Sequence, residues 1–81
     1  MALIFDNFTS LANAAAFAGE AKTRFGRDAA IYTNADEAAE AGFFPFVLTA
    51  PVVLVDRDED YADEDTLRTL VKNFQGEFAG T

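Results

Sequence analysis

Three aspartates alternate at Asp56, Asp58 and Asp60, directly after the apolar run Val52-Val53-Leu54-Val55. Carboxylates at alternate positions open a calcium loop of the EF-hand type, because the turn brings its first, third and fifth side chains onto one hard cation. Such a loop also needs glycine at its sixth position, for the sharp bend, and a bidentate glutamate at its twelfth. Here those positions hold Tyr61 and Leu67. No metal is therefore assigned, and Asp56, Asp58 and Asp60 are named only as the residues that a cation would take.

The rest of the chemical inventory is thin. The chain has no cysteine and no histidine, which removes disulfides, thiolate ligands and thiol nucleophiles together with the usual general base and the usual zinc ligand. No nucleophile stands beside a base, and there is neither a glycine-rich phosphate loop nor a basic aromatic surface. The expectation is a non-catalytic chain that carries no cofactor.

Charge is more informative. Fourteen acids face six bases, a net charge of −8, which argues against direct binding to nucleic acid or to an anionic membrane, since both need cations to neutralise phosphates. Seven of the acids lie between Asp56 and Asp65, where Arg57 is the one base. The plain reading of this segment is a solvated loop. The functional reading is a patch that docks on an Arg- or Lys-rich protein surface, with binding that weakens as salt rises. Asp58, Glu59, Asp60 and Tyr61 are its candidate contact residues. Phe43, Phe44 and Phe46 form a second candidate contact. Pro45 stops them from continuing a helix, and any that the small core does not bury would make an apolar patch for a partner.

These segments must be held by one small domain. The chain has 81 residues, of which 51% are hydrophobic and nine are Phe, enough for a single core without metal or disulfide. It runs from Met1 straight into Ala2-Leu3-Ile4-Phe5 with no basic leader, and no apolar stretch nears the ~20 residues of a membrane span. A soluble cytoplasmic protein is expected. The abundance of alanine and the preference for Arg over Lys suit a GC-rich bacterial genome or one of its phages.

The periodicity predicts a strand over residues 2–6, then a helix capped by Thr9 or Ser10 with Leu11, Ala14, Ala15, Ala18, Ala21 and Phe25 inward and Gly26 at its end. A second strand is predicted at Ala29-Ala30-Ile31-Tyr32-Thr33. Asn34 and Glu37 resemble a capping box for a short helix reaching about Gly42. The segment from Phe46 to Leu48 is a candidate extra strand, and Val52 to Val55 follows Pro51 as the third. Leu67, Leu70, Val71, Phe74 and Phe78 then predict one final helix, capped by Asp63 or Asp65. Strand, helix, strand, helix, strand, helix in this order predicts helices on both faces of a small sheet.

The second half of the chain resembles glutaredoxins, and especially the small glutaredoxin-like redoxins that serve ribonucleotide reductase. The likeness rests on a helix ending Ala41-Gly42, a loop of aromatic and apolar residues, and Thr49-Ala50-Pro51-Val52-Val53 leading into an apolar strand. It implies a thioredoxin-like α/β fold, with a mixed sheet of three to four strands and three helices. It also implies that Pro51 is cis, that its strand runs antiparallel to the first, and that Ala50 offers its backbone to a thiol or extended peptide. The plainer reading of Pro51 is a first-position proline, whose missing N–H does no harm at the start of a strand. The family's paired cysteines would fall near Phe8-Thr9-Ser10-Leu11, where hydroxyls stand instead and cannot exchange disulfides. The glycine pair that usually precedes the last helix is replaced by the acidic loop.

The expected function is accordingly a small acidic binding or regulatory protein on a redox-inactive thioredoxin-like scaffold, phage-encoded and acting on a host protein. One alternative is a glutaredoxin-derived protein that binds a thiol or peptide in a groove of Thr9, Ser10, Ala50 and Pro51. The other is a structural subunit.

Overall fold

The computed structural model describes residues 2–42, 47–56 and 63–80. Strands β1 (Ala2–Asp6), β2 (Ala29–Tyr32), β3 (Val52–Asp56) and β4 (Glu77–Gly80) form one sheet in the order β2-β3-β1-β4. Helices α1 (Leu11–Phe25), α2 (Ala35–Gly42) and α3 (Glu64–Leu70) connect them, and α3 runs on into a 3-10 turn at Val71–Phe74.

Local chemistry accounts for most of these elements. Ser10 caps α1 by accepting a hydrogen bond from the Asn13 amide at 3.1 Å, and Gly26 ends the helix in the left-handed conformation at φ 66°. The Asn34 side chain accepts from the amides of Asp36 and Glu37 at 2.8 and 3.3 Å and so opens α2. β1 and β3 are apolar and buried on both faces because helices cover both faces. On one side Leu3, Phe5, Val53 and Val55 pack under α1 and α3, with the Phe5 and Phe17 rings edge to face at 4.7 Å. Ala14, Ala18 and Ala21 lie buried at that contact, where small side chains let the axis of α1 approach the sheet. On the other side Ile4, Val52, Leu54 and Leu48 pack under Ala38 of α2.

Several expectations need correction. Every strand pairing is antiparallel, so the sheet is not mixed, and its strand order differs from that of a typical thioredoxin fold. The last helix does not reach Phe78. Gln75 adopts φ 61° and ends the 3-10 turn, and residues 77–80 become β4, which pairs along β1 and sets Phe78 opposite Phe5. Phe78 stays in the core from a strand, its ring 5.4 Å from that of Phe5. On α1 Phe17 is buried beside the expected Ala14, Ala18 and Ala21, while Leu11 and Ala15 are exposed. Asp63 is the N-cap residue of α3, its carbonyl accepting from the Leu67 amide at 2.9 Å, but its carboxylate makes no capping bond and meets Arg27 instead. Val47 and Leu48 are not in a strand, and Phe46 lies outside the described residues.

Candidate functional site

Among the described residues the bases lie on one side of the sheet. Lys22 and Arg24 of α1, Arg27 at its exit, Arg68 of α3 and Lys72 of the 3-10 turn all belong to the α1/α3 side. On the other side α2 carries Asp36, Glu37 and Glu40 and no base. The asymmetry is present in the sequence, since no Lys or Arg occurs between Arg27 and Arg57.

A concavity of about 300 Å³ opens beside α2, lined by Ala2, Ala30, Tyr32, Ala41 and Leu54, with Asp28 and Asp56 as its charged residues. Its walls follow from the register. Leu54 pairs with Ala30 and Asp56 with Ala2, so the alternating side chains of three strands present small or apolar groups toward α2. Asp56 closes the end of β3 and is exposed, and its amide donates to the Asp28 carbonyl at 2.9 Å. Asp28 also accepts from Lys22 Nζ at 2.7 Å. That hydrogen bond, reinforced by the opposite charge, holds the Asp28 carboxyl below and the Lys22 ammonium above their ordinary values. Both side chains are largely in water, so the pair is weak.

The neighbourhood of Pro51 is also defined. The Ala50–Pro51 bond is cis, and β3 runs antiparallel to β1. The loop before it is stitched to the end of β1. The Asn7 amide donates to the Thr49 carbonyl at 2.7 Å, and the Thr49 amide donates to the buried Asp6 carboxylate at 3.0 Å. Ala50 and Pro51 are half-buried. Thr9 and Ser10 are exposed, but both oxygens are engaged with Asn13, Ser10 with its amide and Thr9 with its side-chain nitrogen at 2.9 Å.

Phe43, Phe44 and Phe46, like Asp58, Glu59, Asp60 and Tyr61, lie outside the described residues. Ala41 and Asp56, which stand just before these two segments, border the same concavity. Val47, which follows the aromatic segment, is 95% exposed. Of the three alternating aspartates only Asp56 is described, and among the described residues no three carboxylates gather as metal ligands. No described helix is long and apolar enough to cross a membrane. Sequence reasoning passed over Asp36, Glu37 and Glu40, whose signal is the base-free stretch around them. It also passed over the concavity, whose walls come together only through strand pairing. Comparison with protein-family models, with curated proteins and with solved structures finds no match for this chain.

Proposed function

We propose that this chain is a non-catalytic binding protein that docks through its α2 side on a protein partner with a basic surface. The observation that carries the reading is the concavity between α2 and the sheet, apolar in its walls and acidic through Asp28 and Asp56. A Lys or Arg side chain matches both parts, its stem along Ala30, Ala41 and Leu54 and its charged head beside the carboxylates. The C-terminal end of α2 adds partial negative charge there, with no base in its last turn to offset it. The carboxylates of α2, which carries Asp36, Glu37 and Glu40 and no base, support fast, electrostatically steered association with a basic partner.

The test is a titration of the isotope-labelled protein with an Arg-rich peptide and with a Gly/Ser peptide of equal length, read by amide chemical shifts. The basic peptide is expected to shift Ala30, Tyr32, Ala41 and Asp56, and Asp56→Asn to weaken it about five-fold, the equivalent of ~1 kcal/mol for an exposed pair. Equal shifts with the neutral peptide, or affinity indifferent to salt, would refute the reading.

The hydrogen bonds that stitch Thr49 to the end of β1 favour a second reading, a redoxin-derived scaffold that binds an extended peptide or thiol beside Pro51. Shifts centred on Thr49 and Asn7 with glutathione or a neutral extended peptide would support it, and silence at about millimolar ligand would remove it.

A further inference from the structure

We propose that the groove between the β1–α1 loop and the corner joining α3 to β4 binds a small oxyanion carried on a hydroxylated body, a sugar phosphate or a sugar acid. This groove lies on the α1/α3 side and encloses about 930 Å³. Arg68 and Lys72, one helical turn apart, both border it. Among the described residues, Lys22, Arg24 and Arg27 each meet a carboxylate, whereas Arg68 and Lys72 meet none. On a chain of charge −8, two cations without carboxylate partners on one wall make this, among the described residues, the surface best suited to an anion.

Arg68 is also held in place. Its guanidinium lies over the Phe78 ring at 4.5 Å from the centroid, which orients the flat group while its N–H edges stay available for a bidentate oxyanion. Asn7, Thr9, Thr69 and Gln75 add polar, uncharged groups to the lining. Amides and hydroxyls both donate and accept, as a hydroxylated body requires. Because the Thr9 oxygen already accepts from Asn13, its O–H is free to donate. Asp65 and Glu77 complete the border. They accept from hydroxyl groups, and with two carboxylates beside two cations the groove has room for one anionic group but not for the repeated phosphates of a nucleic acid.

Backbone conformation is an independent sign. Asn7 and Gln75, at φ 56° and 61°, are the non-glycine residues with positive φ among those described, and both border this groove. Such conformations cost free energy and cluster at ligand sites, where the surrounding structure holds them.

The experiment is a chemical-shift titration with four probes, glucose 6-phosphate, gluconate, glucose and inorganic phosphate, on the wild type and on Arg68→Gln/Lys72→Gln. Saturable shifts at Thr9, Thr69, Gln75 and Gly76 are expected with one or both charged sugars, with affinity at least about ten-fold above that for glucose or phosphate alone. The double variant removes two exposed charges and is expected to keep the fold while losing the shifts. Binding of glucose 6-phosphate alone identifies a sugar phosphate, and binding of gluconate alone a sugar acid. The proposal is overturned if neither charged sugar gives saturable shifts at about 10 mM, a generous excess for a millimolar site. It is also overturned if phosphate alone binds as well as the sugars, or if the double variant binds unchanged.

Discussion

Gly76→Ala is expected to destabilise the protein by about 1–3 kcal/mol, even though the backbone there accepts an L residue. Gly76 is not among the positive-φ glycines. Its substitution would therefore ordinarily stabilise by ~0.4–1 kcal/mol, by restricting the unfolded chain. The obstacle is Phe8. A Cβ on Gly76 would stand 2.5, 2.7 and 2.8 Å from three carbons of that ring, against the ~3.5–4.0 Å of favourable carbon contacts. Relief requires a shift of about 1 Å by a ring that is 4% exposed and packed on Phe17 at 5.7 Å. Gly19 supplies the control, since a Cβ there meets nothing within 4 Å. In the middle of α1, Gly19→Ala is expected to stabilise by ~0.8–1 kcal/mol. One substitution at two sites thus has opposite signs. Urea unfolding followed by circular dichroism reads both, and thermal midpoints should separate in the same sense, by about 4–8 °C per kcal/mol for a domain of this size. Phe8→Leu should relieve part of the clash, making Gly76→Ala less costly in that background. A Gly76→Ala variant as stable as the wild type, or one whose cost is the same with and without Phe8→Leu, would refute the close approach.

Three further outcomes are expected. Phe17→Ala should cost about 3–5 kcal/mol in urea unfolding, because Phe17 is buried between Phe5, Phe8 and Phe74. Asp63→Ala should cost about 2 kcal/mol, since it removes a carboxylate that contacts the buried Arg27 guanidinium at 2.7 Å. The paired replacement Arg27→Met/Asp63→Leu should cost less than the single change, as apolar groups need no partner. Finally, the Asp28 carboxyl should titrate below the ordinary range in an NMR pH series, and Lys22→Gln should raise its midpoint. The folded-state pKa is the lower one, so this contribution is present above the unfolded value and is lost as pH falls through the folded value.

Much of the fold was legible from local pattern. Ser10 and Gly26 bound α1, Asn34 opens α2, and the unbroken apolar runs of β1 and β3 mark strands covered on both faces. The acidic contact expected at Asp58 to Tyr61 lies outside the described residues, and the acidity of the α2 side has its sequence signal in the absence of Lys and Arg between Arg27 and Arg57. The shape of the concavity was not legible, because Ala2, Ala30 and Leu54 belong to three strands whose register brings them beside Ala41. The same limit explains Phe17, which lies within a run of alanines whose period is satisfied by more than one helical face.

The amino-acid sequence by itself determined the elements whose causes are local, namely caps, breakers and apolar runs, and it excluded thiol and imidazole chemistry outright. Only the tertiary structure decided the end of the chain and the order of the strands. Leu67, Leu70, Val71, Phe74 and Phe78 keep a helical period throughout, and the one local mark of a break, Gly76, does not by itself make residues 77–80 a strand. The distinction comes from outside it. The free edge of β1 offers hydrogen bonds to residues 77–80, and Phe5 offers its ring to Phe78. Pairing across the chain outweighs local periodicity because unpaired backbone groups at a sheet edge and an unburied phenylalanine both cost free energy that the strand recovers.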